Sequence, residues 1–399
     1  MTAPTKPLGQ TEFIALIAML FATIAFSIDA MLPALPGIAV ELTPANPNRA
    51  QLIITSFVLG MGIGTFFAGP LSDSFGRRGV IVSGAALYCA GAAIAWASPT
   101  LEGVLIARVV QGLGAAGPRV VSLAMVRDLY QGRQMARVVS FAMMVFTLVP
   151  AAAPLLGAAI MAQTGWRGIF PAFMLFSLAS IAWMMLRQPE TLPPERRQPL
   201  QAGRLWMALR EVMTRRVIVM AIIVQSLCFG ALFATLSSTQ PIFDRTFGRG
   251  TEFPVWFAMI ALVAGSASLL NASIVVRLGM RRLVTVTLAA QVVASMVMAA
   301  ATGAGLWPEA LAFPAFVVWT TGVFFMAGMT LGNLNAISLE PVGHIAGMAA
   351  SVVGAISTVA AVAIAVPLGL AFDGTAVPLA MGVAVLSAAG WAMMRAMPR

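Results

Sequence analysis

Charge is scarce in this chain. Asp, Glu, Lys and Arg make up 10% of its 399 residues, where a soluble domain carries about 25%. That is too little to solvate a globular surface, and it excludes an ordinary water-soluble fold. Histidine occurs once and cysteine twice; Cys89 and Cys228 both fall within apolar segments, so neither a disulfide framework nor a His/Cys zinc site is indicated. No glycine-rich phosphate loop ends in Lys-Ser or Lys-Thr, and no nucleophile elbow is present. Neither an ATP-driven step nor catalysis is therefore expected, and no cofactor or resident metal is called for.

What is abundant is apolar. Hydrophobic residues reach 60% and the mean hydropathy is +0.92. A bilayer core takes about 20 apolar residues per helix. The sequence predicts twelve such spans, at 12–35, 50–70, 79–98, 101–123, 136–162, 166–187, 217–240, 253–276, 282–302, 309–334, 345–370 and 375–396. The first exceeds a signal-peptide core and lacks a clear cleavage site, so it reads as a retained helix. The fold class expected is an all-α polytopic membrane protein.

The net charge of +10 does not point to nucleic acid, because the basic residues alternate from side to side. Of 24 Lys and Arg, 18 fall in one set of loops and termini, and four (Arg49, Arg167, Arg245, Arg249) in the other. By the positive-inside rule both termini face the cytoplasm. Two arginines, Arg108 and Arg119, lie inside a span.

After the sixth span the composition changes. Residues 188–216 hold Pro189, Pro193, Pro194 and Pro199 among alternating Glu and Arg, a polar linker between six-helix halves at 1–187 and 217–399. An internal repeat agrees: Gly76-Arg77-Arg78 after span two has a counterpart in Gly279-Met280-Arg281-Arg282 after span eight, with Val276 where Asp73 would fall.

An ionisable group inside a span is costly unless it is partnered or faces water. Asp29, expected near the outer end of span one, is a candidate to exchange protons at physiological pH; the plainer reading is a carboxylate pairing at the membrane edge. Arg108 and Arg119 are eleven residues apart, about three turns and one face. Arg119 can snorkel to the cytoplasmic edge, whereas Arg108 is too deep and is the stronger candidate for coupling to an acid such as Asp29. Gly112, Gly114 and Gly117 allow close helix approach. Pro150, Pro154 and Gly157 in span five are expected to kink it, or merely to pack.

In the tight turn Gly69–Arg78, Asp73 with Gly76, Arg77 and Arg78 can form a charged latch, with Arg127 and Asp128 in the next loop. Glu340 opens span eleven near a helix N-terminus. His344 there is read as a solvated capping residue rather than a proton relay. The 26 methionines, paired at Met143-Met144, Met184-Met185 and Met393-Met394, are pliable packing or the lining of a permissive cavity, with copper(I) binding the alternative.

The stretch G-P-L-S-D-S-F-G-R-R resembles the loop motif of the major facilitator superfamily, and R-V-V-Q-G-L-G-A-A its fourth-helix motif. P-A-A-A-P-L-L-G is similar to the antiporter motif of proton-coupled drug exporters. D-A-M-L-P-A-L-P, V-R-D-L-Y, G-W-R-G-I-F and E-P-V-G-H-I-A-G resemble the Bcr/CflA branch of multidrug efflux proteins. The resemblance implies two six-helix bundles rocking about a central cavity, Asp73 latching against span eleven in the outward-facing state, and Arg108 in proton coupling. The chain departs from the pattern at Ala153-Pro154, usually Gly-Pro, and at Met31, often aromatic. Close relatives of the branch import copper or riboflavin; the copper signatures of spans seven and eight are missing, and the one His-x3-Met runs from His344 to Met348.

The reading is a monomeric transporter of the bacterial inner membrane. It exports small hydrophobic or cationic compounds in exchange for protons, in contact with lipid and not with nucleic acid. Import of riboflavin or copper is the alternative, and a non-transporting receptor-like scaffold a more distant one.

Overall fold

The computed structural model describes residues 8–398, apart from the side chains at 136, 145–147, 202 and 204. Lys6, Arg399 and the Arg204 side chain, counted above among the basic groups, lie outside the described residues. Twelve long helices make up the fold: α1 (Gln10–Asp29), α2 (Leu52–Phe75), α3 (Arg77–Ala97), α4 (Leu101–Leu129), α5 (Gly132–Thr164), α6 (Ile169–Arg187), α7 (Arg216–Pro241), α8 (Phe253–Leu278), α9 (Met280–Gly303), α10 (Glu309–Leu339), α11 (Ala346–Leu370) and α12 (Val377–Ala396). In lipid a backbone must satisfy its own polar groups, which a helix does within one segment.

Eleven helical runs are long and apolar enough to cross a membrane, one of them the 62-residue run Glu309–Leu370. At 1.5 Å per residue that run would be about 90 Å long, far beyond a hydrocarbon core of roughly 30 Å. It breaks at Glu340–Ile345, where Val342 leaves helical geometry (φ −127°, ψ 34°). The run is therefore two helices, α10 and α11, so that twelve helices among the described residues are long and apolar enough to cross a membrane.

The packing repeats itself. In the first half α4 meets α2 and α3, α1 meets α4, α5 and α6, and α3 meets α6; adding six to each label describes the second half. The halves touch through α2 on α11 and α5 on α8, which are also exchanged by adding six. Duplicated chain would pack this way. The repeated turns agree: Gly76 (φ 91°) and Gly279 (φ 79°) both adopt a backbone suited to glycine. Val276, where an acid would complete the second copy, is 90% exposed.

Several boundaries differ from the sequence expectation. The stretch Gly69–Phe75 is the last part of α2, so the motif is a helix end and a one-residue turn at Gly76 rather than a loop. Arg127 and Asp128 likewise sit in the last turn of α4. Span one does not end at residue 35: after Asp29 a 3-10 turn (Leu32–Ala34) leads into a further short helix, Leu35–Leu42. Pro33 and Pro36 lack the N–H that would continue α1, so the chain breaks and restarts.

The tightest contact in the first half is α4 on α2. A Cβ at Gly112 would strike the Phe57 carbonyl, and one at Gly60 the Val109 carbonyl. Glycine is required at both places by the neighbouring backbone, not by its own φ. Gly112→Ala is expected to destabilise the protein by about 1–3 kcal/mol, seen as a lower thermal-unfolding midpoint in detergent. Gly79→Ala, where a Cβ meets nothing within 4 Å, should leave the midpoint unchanged or slightly raised.

Candidate functional site

Two polar centres stand out, one deep in the first half and one at its basic end. The deep centre begins with the end of α1. The last carbonyls of a helix have no intrahelical partner. Here Ala30 N bonds the Phe26 carbonyl and Met31 N the Ile28 carbonyl. The Ser27 carbonyl between them accepts from Arg108 Nη2 at 2.9 Å. Arg108 Nε also donates to the Ile53 carbonyl at 3.2 Å, and Nη1 to Gln111 Oε1 at 2.7 Å. Its guanidinium carbon lies 4.4 Å from the centroid of the Phe57 ring and 5.9 Å from that of Phe173.

Arg108 is fully buried, and no carboxylate lies within 4 Å of it among the described residues. A buried cation without an acid is tolerable because three acceptors and two aromatic faces replace its water. It acts as a C-terminal cap on α1, where a positive charge suits the helix dipole, and it fixes α4 to α1 and α2. Tyr88 adds to this centre through a short hydrogen bond to Ser27 Oγ.

Asp29 is the last residue of α1, 5% exposed. No hydrogen bond or ion pair to its carboxyl occurs among the described residues. Because the helical run continues to Leu42, Asp29 is not at the outer rim but well inside it. Arg108 and Asp29 do not pair; they are joined through α1 itself, since Arg108 holds the carbonyl two residues before Asp29. The next residue, Ala30, carries the contact with α5: a Cβ at Gly157 would collide with the Ala30 carbonyl. Pro150 and Pro154 lie within α5, which runs as a single helix past both. Arg119, also facing α2, donates to Met61 Sδ at 3.7 Å.

The second centre is organised by Arg77. Its Nη1 donates to Asp73 Oδ1 at 2.5 Å and to Ser72 Oγ at 2.8 Å, and its Nε to Asp128 Oδ2 at 2.9 Å. One buried guanidinium thus clamps the ends of α2 and α4 at the start of α3. Arg78 turns away to the Met185 carbonyl at 2.8 Å. Arg127 faces α11, lining with Asp73, Gly347 and Met348 a small cavity between the halves.

The polar linker after α6 is bound to this centre. Glu190 accepts from the backbone N–H groups of Arg77 (3.0 Å) and Arg78 (3.1 Å), capping the N-terminus of α3 with a carboxylate. Thr191 Oγ1 donates to Asp128 Oδ2 at 3.0 Å, and Gln198 N to the Asp73 carbonyl at 3.0 Å. Further on, the helix Ala202–Thr214 packs on α11 and α7. His344, mostly exposed, lies 3.4 Å from its Glu211. Glu340 is exposed at the end of α10, six residues before α11 begins, so it does not cap that helix. Glu190 and Thr191 were not foreseen; an acid shortly after the last apolar residue of span six was the available sign.

The G-W-R-G-I-F stretch has a structural task at the opposite end. Trp166 Nε1 donates to Glu41 Oε2 at 2.6 Å and Arg167 pairs with Glu41 Oε1, holding the short helix after α1 against the start of α6.

The described residues thus form a bundle of twelve long apolar helices, internally repeated, with buried charges in one half and a guanidinium clamp at its edge. The chain matches the Major Facilitator Superfamily over residues 15–368 and belongs to that family. It is 29% identical over 347 residues to a bicyclomycin resistance protein homolog of Haemophilus influenzae, covering 86% of this chain and 84% of that one. It is 26% identical over 370 residues to the MFS-type transporter YdgK of Bacillus subtilis (91% and 90% covered). With the multidrug resistance protein MdtL of Escherichia fergusonii it shares 28% over 331 residues (82% and 80%). These likenesses agree with the Bcr/CflA resemblance of the motifs. Among solved structures, a D-xylose–proton symporter superposes with a TM-score of 0.79 at 14% identity, covering 98% of both chains. The human organic anion transporter MFSD10 gives 0.70 at 16%, covering 97% and 100%; at such identities the likeness is one of fold.

Arg77→Ala leaves Asp128 with only Thr191 among its present partners, and is expected to cost about 3 kcal/mol of stability. Glu190→Ala removes a cap and should cost about 1 kcal/mol. Thermal unfolding of the purified variants against the parent checks both the losses and their order.

Proposed function

We propose that this transporter exports small hydrophobic or cationic compounds across the bacterial inner membrane in exchange for protons, working as a monomer with both termini in the cytoplasm. Segments 1–187 and 217–399 are the two rocking units, with 188–216 the tether between them. The observation that carries the proposal is Asp29, a buried carboxyl at the break of α1 with no partner among the described residues. Such a group is expensive in a span and is kept where protons or substrates pass.

The route from protonation to movement follows from the neighbours. A carboxyl that gains or loses a charge changes what the α1 break tolerates. Arg108 holds the break from one side and α5 presses on it from the other through Gly157, and α5 is one of the two helices that meet the opposite half across α8. Protonation of Asp29 from outside and its release to the cytoplasm would thereby bias the angle between the halves. At the cytoplasmic end Asp73, Arg77 and Asp128, with Gly69 and Gly76, would act as the latch, with Arg78 and Arg127 at its margin. The resistance names of the relatives support export of drugs.

The test uses an efflux-deficient bacterium loaded with ethidium. Cells expressing the parent should accumulate several-fold less dye than cells without it, and an uncoupler should abolish the difference. Asp29→Asn, confirmed in the membrane at the parent's level, should accumulate dye as empty cells do. Dye exclusion by Asp29→Asn equal to the parent would remove Asp29 from the coupling path.

A further inference from the structure

Four side-chain hydrogen bonds that pass from one half to the other converge on two residues of the turn Pro47–Gln51, just ahead of α2. Asn48 Nδ2 donates to the carbonyls of Leu370 (3.1 Å) and Phe372 (2.7 Å), and Asn48 Oδ1 accepts from Arg245 Nη1 at 3.4 Å. Gln51 Oε1 accepts from Ser238 Oγ of α7 at 3.0 Å. Gln51 is 3% exposed, and its Nε2 has no partner among the described residues. These contacts bring α2, α7 and α11 together at the end of the bundle that is poor in basic residues.

The chemistry suits contacts that must break and re-form. The carbonyls that Asn48 holds lie at the end of α11, where a helix leaves acceptors unused, and two residues beyond it. Water can take them over when the side chain leaves. None of the four is an ion pair, and hydrogen bonds exchanged for water bind far less firmly than a buried charge pair would. The clamp at the other end is different in kind: Arg77, Asp73, Asp128 and Glu190 are charged, and their bonds run within the first half and its linker. One end of the bundle is tied across the halves by weak, replaceable bonds, while the strong ones hold a single half together.

We propose that Asn48 and Gln51 form the outer gate: their bonds to Leu370, Phe372, Arg245 and Ser238 close the outer face of the transporter and are released as the halves rock apart there. The assignment rests on the alternating-access reading above, but its test reads shape and not transport.

Cysteines placed at the exposed positions Ala45 and Ala371, on a background of Cys89→Ser and Cys228→Ser, take spin labels on the two sides of the gate. Pulsed dipolar spectroscopy of the protein in lipid nanodiscs then gives the distribution of label separations. Asn48→Ala with Gln51→Ala should raise the ratio of long to short separations about tenfold or more, and each single change should raise it less. Asn46→Ala, two residues before Asn48, should not change it. A monodisperse double variant with the parent's distribution overturns the proposal, as does an equal shift from Asn46→Ala. Should the double variant aggregate, the single variants decide by the same criterion. Because no dye or gradient is involved, the gate stands or falls separately from drug export and from Asp29.

Discussion

A bare carbonyl or a charge inside a bilayer must be answered by another group, and Arg108 answers several such demands at once. It takes the Ser27 carbonyl at the end of α1, the Ile53 carbonyl near the start of α2 and the Gln111 amide on its own helix. Without that cap, the break after Asp29 would leave an acceptor exposed to an apolar core. The break is what sets Asp29 at a helix end, and it is where α5 comes closest through Gly157. Three features that look separate in the sequence, the span-one acid, the span-four arginine and the proline-glycine run of span five, thus meet around one turn of backbone.

Much of the fold was legible because hydropathy measures transfer into lipid, and transfer decides how many helices there are. Twelve spans were expected, and twelve long helices form among the described residues. The length of span one was misjudged because Pro33 and Pro36 mark a break, and a break resembles an end until the helix is seen to restart at Leu35. The motif Gly69–Arg78 was legible as a charged turn but not as the last turns of a helix, since its charges and glycines are those of a tight turn.

Partners were harder to read than positions. Arg108 was picked out by its depth, yet its acceptors are two backbone carbonyls and an amide, and carbonyls leave no mark in a sequence. An acid was the natural partner to expect, and Asp29 was the candidate; the two are connected by backbone instead. Glu190 lies 113 positions from Arg77, too far for spacing to connect them. The linker's alternating charges mark it as polar, but they give no sign that one of its acids caps α3 and one of its threonines completes the Arg77 clamp. Composition records the cost of a buried charge, and only the fold shows what offsets it.

The role proposed for Asp29 is to carry the proton that drives the substrate. Purified protein in proteoliposomes tests it, with ethidium flux followed while a pH gradient is imposed and then reversed. Flux through the parent is expected to change direction with the gradient, and any flux through Asp29→Asn to ignore it. Parent flux indifferent to the gradient, or an Asp29→Asn variant that still follows it, would remove Asp29 from that role.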